Sequence, residues 1–151
     1  MEISCSKTID APVEAVWSIM TNLDGFPDAV SGIERVERLD DGTGFGVGTK
    51  WRETRTLFGR TATEDMWVTK FEPGRSYVVE ASSRGADYRT TQRVEPDGDG
   101  GSVLVMSFSG TPTGTMAKIV AVTIGRFFVG ATRKAFEQDL ADIAAAAENS
   151  A

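Results

Sequence analysis

The fold is decided by Met116–Glu148, which reads MAKIVAVTIGRFFVGATRKAFEQDLADIAAAAE. Residues 116–131 are apolar on nearly every side, whereas residues 132–148 alternate apolar and charged side chains at helical spacing. A helix that is apolar all round has to be buried or to line a cavity. The rest of the chain has mostly the pattern of strands. We therefore expect a curved sheet wrapped around this helix, with room for a ligand between the two.

The residue patterns of the two halves of this helix predict a different role for each half. In the first half, which also contains Gly125 and Gly130, we expect Phe127 or Phe128 to reach inward and cover the mouth of a cavity. In the second half, we expect a stripe that packs on the sheet and holds the fold together, formed by Ala135, Phe136, Leu140 and Ile143.

The chain before the helix reads as one strand, two short helices and six further strands. Met1–Ile9 alternates with period two and places Cys5 as a small core residue. Asp10 is the expected N-cap of the first helix, with Pro12 near its first turn. Short turns then separate six extended segments, Ile33–Leu39, Gly48–Leu57, Thr61–Phe71, Arg75–Ser83, Tyr88–Val94 and Ser102–Ser109. An antiparallel meander is the simplest arrangement, and glycine-rich residues 42–48 read as a hairpin connection rather than a phosphate cradle.

Composition excludes several classes of function. The 151 residues suit a single domain, residues 1–151. A formal net charge of -6 argues against a nucleic-acid partner, and no segment has the length and apolarity of a membrane span. Histidine is absent, which excludes Ser-His-Asp catalysis and most zinc sites, so we expect no metal and no cofactor. The amino terminus lacks a signal-peptide pattern, so a cytoplasmic location is the default expectation.

Five short motifs in order carry a family resemblance: IDAPVEAVW at Ile9–Trp17, NLDGFP at Asn22–Pro27, GVGT at Gly46–Thr49, FEPGR at Phe71–Arg75 and AFEQDL at Ala135–Leu140. With the order of elements, they make the whole chain similar to the START/Bet v 1-like (SRPBCC) superfamily, in its bacterial polyketide cyclase/dehydrase-like branch. The resemblance implies an α+β helix-grip fold, in which a curved antiparallel sheet of about seven strands wraps around a long C-terminal helix.

Alternation along each strand sorts the side chains into an inner and an outer face. Thr61–Phe71 is ambiguous, because a shift of one residue would turn Trp67 inward in place of Met66. We favour Met66 inward. The expected lining of the cavity is then Trp51, Glu53, Arg55, Glu64, Met66, Tyr77, Tyr88, Thr90, Met106 and Phe108, with Phe127 and Phe128 from the helix. The alternative is a filled core with Glu53 and Arg55 paired at its rim.

Three functions remain open. The first is a binding module for a small hydrophobic molecule, such as a lipid, polyketide or aromatic metabolite. The second is a polyketide cyclase or dehydratase, in which Glu53 or Glu64 is the base and Arg55, with Tyr88 as donor, stabilises an enolate oxygen. The third is a protein-interaction module, as in co-chaperone relatives of the fold, with Trp67 as a contact. A homodimer is also left open.

Overall fold

A computed structural model describes residues 1–57, 59–83 and 85–150, apart from the side chains of Leu57, Ser83 and 116–128. The chain begins with strand β1 (Glu2–Ile9), helix α1 (Val13–Met20), a 3-10 turn (Leu23–Gly25) and helix α2 (Phe26–Ala29). The remaining elements are strands β2 (Ile33–Arg38), β3 (Lys50–Leu57), β4 (Arg60–Glu72), β5 (Ser76–Ser83), β6 (Ala86–Asp97) and β7 (Gly101–Pro112), followed by helix α3 (Thr115–Ser150). This order confirms the expected α+β helix-grip fold.

The strands form a seven-stranded sheet in the order β1-β7-β6-β5-β4-β3-β2. Strands β2 to β7 form an antiparallel meander in which β2 is one edge of the sheet. Strand β1 forms the opposite edge and pairs antiparallel with β7. Sequence neighbours are therefore spatial neighbours along the meander, as short connections require.

The core lies between the inner face of this sheet and helices α1 and α3. Along β1 the alternation predicted from sequence is observed, since Ile3, Cys5 and Ile9 are buried. The largest apolar side chains that are fully buried come from β1, α1, β4, β6, β7 and α3: Ile9, Val16, Met20, Val68, Val94, Leu104 and Leu140. Burying each such side chain stabilises the fold by about 1.5–3 kcal/mol.

The predicted N-cap of α1 is wrong. Pro12 occupies that position with an extended backbone, φ -68° and ψ 159°, and caps the helix without a side-chain hydrogen bond. The pyrrolidine ring of Pro12 fixes its φ angle near a value that suits the first positions of a helix. Asp10 lies two residues earlier, where its backbone N–H donates to Oε2 of Glu148 at 2.9 Å. This contact ties the end of α3 to the end of β1.

The glycine-rich segment connects the antiparallel pair β2 and β3, which confirms a hairpin connection. The Asp40 carboxylate organises it by accepting hydrogen bonds from the backbone N–H of Gly42 at 2.7 Å and of Lys50 at 2.8 Å. The loop then turns Phe45 inward, where its ring centroid lies 4.8 Å from that of Tyr77 and 6.0 Å from that of Trp51. The loop therefore closes one end of the core.

Candidate functional site

A cavity of about 230 Å³ lies between the inner face of the sheet, helices α1 and α2, and the part of α3 from Thr132 to Ile143. Its wall is mostly apolar and aromatic. Sheet strands contribute ten of the side chains predicted from sequence to line it: Trp51, Glu53, Arg55, Glu64, Met66, Tyr77, Tyr88, Thr90, Met106 and Phe108. The predicted Phe127 and Phe128 lie outside the described side chains.

The register of β4 places Met66 inward. Met66 lies opposite Trp51, and Glu64 lies opposite Glu53 on the neighbouring strand β3. Val68 is 2% exposed, in agreement with this face being the inner one. Trp67 lies on the outer face, half-buried, with Nζ of Lys50 6.0 Å from its ring centroid.

A buried polar network crosses the cavity wall from β3 to α3. Nε1 of Trp51 donates to Oε1 of Glu53 at 3.2 Å, and Nε of Arg55 donates to Oε2 of Glu53 at 3.3 Å. Nη1 of Arg55 lies 3.0 and 2.9 Å from the two carboxylate oxygens of Asp139. The Glu53 and Asp139 side chains are 6% and 7% exposed, so Glu53 and Arg55 are not a pair at a solvated rim.

Burial sets the electrostatics of this network. It raises the pKa of Asp139 above its ordinary value, against the opposing effect of Arg55, and the charges of Glu53 and Asp142 act in the same direction as burial. One guanidinium thus serves two carboxylates, and the network Glu53–Arg55–Asp139 carries an excess negative charge when all three groups are ionised.

Two tyrosines of the wall have different surroundings. The hydroxyl of Tyr77 donates to the backbone oxygen of Met20 at 2.8 Å, and burial raises its pKa. The hydroxyl group of Tyr77 is therefore already hydrogen bonded to the protein, and Tyr77 contributes its ring to the cavity wall. The ring of Tyr88 stacks on Phe108 at 5.6 Å, and Phe108 in turn contacts Phe136 of α3 at 5.0 Å. This aromatic row joins β6, β7 and α3 across the cavity.

Sequence reasoning missed the contribution of the second half of α3. Ala135, Phe136 and Ile143 line the cavity, and Phe136 and Ile143 also pack in the hydrophobic core, as predicted for this stripe. Asp139 was not among the candidates, although a signal existed: it lies three residues after Phe136 and directly before Leu140, so a charged side chain occupies an apolar stripe. A charge in such a stripe needs a buried partner, and Arg55 supplies it.

Gln92 of β6 is a second polar group of the wall, which alternation places on the inner face of its strand but which the predicted lining did not include. Its side chain lines the cavity, and its Oε1 is buried without a hydrogen-bond partner among the described residues. An unpaired buried acceptor costs about 1–3 kcal/mol.

Neither a metal centre nor a membrane span is found in the part of the chain that the structure describes. No three His, Cys, Asp or Glu side chains there are grouped to hold a metal ion. No helix within those residues is long and apolar enough to cross a bilayer.

Comparison with known proteins agrees with this geometry. Residues 1–148 match the family described as "Polyketide cyclase / dehydrase and lipid transport". No curated protein matches the chain. Among solved structures, TTHA0849 from Thermus thermophilus is similar with a TM-score of 0.82 and 16% identity, over 100% of this chain and 99% of that one.

Two further solved structures share the fold. The Zhui aromatase/cyclase from Streptomyces sp. R1128 has a TM-score of 0.76 and 18% identity, over 99% of this chain and 94% of its own. Ara h 8.0201 has a TM-score of 0.63 and 16% identity, over 95% and 97%. At such identities the likeness establishes the fold alone.

Proposed function

This chain belongs to the polyketide cyclase/dehydrase and lipid transport family of the START/Bet v 1-like superfamily, and from that premise we propose that it binds a small hydrophobic molecule between the sheet and α3. The observation that carries the proposal is the cavity, which has a mostly apolar and aromatic wall with a few polar groups. Ligand sites have this composition. Protein interiors are otherwise close packed, with few voids larger than a water molecule.

The size of the cavity supports a compact ligand. Its volume of about 230 Å³ is below the range of roughly 300–1,000 Å³ that is usual for drug-sized ligands. The row of Tyr88, Phe108 and Phe136 offers ring faces and edges for stacking, which favours an aromatic or otherwise flat molecule.

The experiment that tests binding uses N-phenyl-1-naphthylamine, an uncharged dye whose fluorescence rises in apolar surroundings. We expect saturable binding that is lost in Ala135→Trp, since Ala135 lines the cavity and the larger side chain would fill it. Ala145→Trp is the matched control, because Ala145 is exposed on the same helix. Absence of saturable binding, or equal binding by both variants, would refute the proposal.

Catalysis of a cyclase or dehydratase type is a second candidate, and the buried Glu53–Arg55–Asp139 network favours it. The carboxylate of Glu53 or Glu64 would act as base, and the guanidinium of Arg55, with the Tyr88 hydroxyl, would stabilise an enolate oxygen. Glu53→Gln and Glu64→Gln test this role by turnover of a poly-β-ketone substrate. Unchanged turnover in both variants would eliminate the candidate and leave the binding proposal intact.

A further inference from the structure

We propose that Phe45 is a gate between the cavity and the protein surface, and that the glycine-rich loop at residues 42–48 moves it aside when a ligand enters or leaves. This inference rests on the proposed binding function and adds the route by which the ligand reaches its site. Three observations carry it: the position of the Phe45 ring, the freedom of the two glycines beside it, and an arginine that holds the loop closed.

Phe45 lies between two spaces. Its ring contacts those of Phe26, Trp51 and Tyr77, which all line the cavity, at centroid distances of 6.4, 6.0 and 4.8 Å. Phe45 also lines a second pocket, of about 240 Å³, on the other side of the loop. The lining of this second pocket includes the exposed residues Asn22, Asp24, Thr43 and Gly44. Movement of one ring would therefore join the cavity to a pocket at the surface.

The two residues that flank Phe45 are glycines that the closed loop does not require. A Cβ on Gly44 or Gly46 would meet no atom of the described residues within 4 Å, and neither glycine has a φ in the left-handed region. What glycine adds at these positions is backbone freedom, because it reaches conformations that a side chain forbids. Hinge residues use such freedom to absorb the dihedral changes of a moving segment.

Arg38 holds the loop in the closed arrangement. Its Nη2 donates to the backbone oxygen of Gly44, the residue directly before Phe45, at 2.7 Å. Its Nη1 lies 3.0 and 3.1 Å from the two carboxylate oxygens of Asp40, which fix the direction of the guanidinium. The bond to Gly44 is exposed, so water can replace it when the loop opens. Arg38 therefore favours the closed loop and still permits opening.

A gate controls how fast a ligand exchanges rather than how tightly it binds. Arg38, Gly44 and Gly46 lie outside the described lining of the cavity, so substitutions there leave the contacts of a bound ligand unchanged. When the ligand passes only through the open form, its association and dissociation rates are both proportional to the open fraction. The ratio of these two rates, the Kd, then stays constant.

The test measures association and dissociation rates of N-phenyl-1-naphthylamine by stopped-flow fluorescence. In Arg38→Met the loop loses a charge-assisted hydrogen bond, and we expect both rates to rise about tenfold. In the double variant Gly44→Ala/Gly46→Ala the loop loses backbone freedom, and we expect both rates to fall about fivefold. The Kd should change less than about twofold in either variant, and the double variant should melt no lower than the wild type.

Two control variants should leave both rates unchanged. Arg52→Met removes an arginine of β3 whose ion pairs are with Asp65 and Glu37 on the exposed face of the sheet. Val47→Ala changes an exposed side chain of the same loop and keeps both glycines. Unchanged rates in both gate variants would overturn this inference and place the entrance elsewhere, while the binding function stands. Should Arg38→Met fail to fold, the glycine variant decides alone.

Hydrogen exchange tests the gate without a ligand. The backbone N–H of Gly46 donates to Oγ1 of Thr49 at 3.0 Å, so opening of the loop exposes this amide. By NMR, the protection of the amide at position 46 should fall in Arg38→Met and rise in the double glycine variant. Unchanged protection in both variants would contradict the gate. Failure of the dye to bind the wild type would instead refute the binding function, and hydrogen exchange would then decide whether the loop opens.

Discussion

Nη1 of Arg55 contacts both carboxylate oxygens of Asp139, a residue 84 positions later in the chain. The pair joins β3 to α3 at the wall of the cavity, so two elements far apart in the chain meet at the candidate functional site. Gly32 lies against it, since a Cβ at that position would be 3.1 Å from Nη1 of Arg55. The absence of a side chain at Gly32 leaves space for the guanidinium.

Replacing Arg55 with Met should destabilise the fold by about 3–5 kcal/mol, because Glu53 and Asp139 are then buried without a counter-charge. Chemical denaturation at neutral pH measures the loss. Burial already raises the pKa of Asp139, and removal of the guanidinium raises it further. The folded variant then binds more protons than the unfolded chain above the ordinary pKa of an aspartate, so its stability should recover as the pH falls through this window. A loss that grows on acidification would contradict this account.

Asp142→Asn tests the attachment of α3 to the segment before β2. The Asp142 carboxylate accepts hydrogen bonds from the backbone N–H of Ser31 at 2.9 Å and from its hydroxyl at 2.7 Å. Burial alone would raise the pKa of Asp142, but the hydrogen bonds from Ser31 and Gln138 outweigh it, and the pKa is lowered. Its contribution to stability is therefore present above the unfolded-state pKa and lost as the pH falls through the folded-state pKa. We expect a loss of about 1 kcal/mol at pH 7 that disappears at low pH in urea titrations. Asp99→Asn, the exposed control, should show neither effect.

Phe45→Ala tests whether the glycine-rich loop is part of the core. The Phe45 ring contacts Phe26, Phe71 and Tyr77 at centroid distances of 6.4, 6.2 and 4.8 Å, so its removal should cost about 2 kcal/mol, less than for a fully buried phenylalanine. Thermal denaturation measures the loss. Val47→Ala in the same loop should change stability by no more than about 0.5 kcal/mol, because Val47 is 68% exposed. Similar losses for the two variants would show that the inserted ring does not stabilise the core.

Gln92→Met should raise the stability of the ligand-free protein by about 1 kcal/mol, because methionine has nearly the same length and removes a buried acceptor that has no partner among the described residues. Thr69→Val is a second case, since Oγ1 of Thr69 is likewise buried without a described partner, and the same gain is expected there. Differential scanning calorimetry compares both with the wild type. A lower melting temperature for Gln92→Met would indicate that this side chain is satisfied in the ligand-free state.

Local patterns were sufficient to predict most of the fold. Period-two alternation placed Trp51, Glu53 and Arg55 on one face, and the structure lines the cavity with all three. Such predictions succeed because successive side chains of a strand point to opposite faces of the sheet. Residues two positions apart therefore share a face, and this spacing is read directly from the sequence.

The parts that depend on distant partners were harder to predict. Both faces of β4 carry polar and apolar side chains, so alternation left Met66 and Trp67 as alternatives until the pairing with β3 placed Met66 opposite Trp51. The inward position of Phe45 depends on the rings that it meets, which come from α2, β3, β4 and β5.

The sequence by itself determined the order of elements, the apolar inner face of the sheet and the presence of one long helix, because these follow from the spacing of neighbouring side chains. Only the tertiary structure decided which charges meet. Asp139 is an unexplained charge on an apolar stripe until the sheet curves around α3 and brings Arg55 to it. Long-range electrostatic partners are set by chain topology and burial, and no local period in the sequence encodes them.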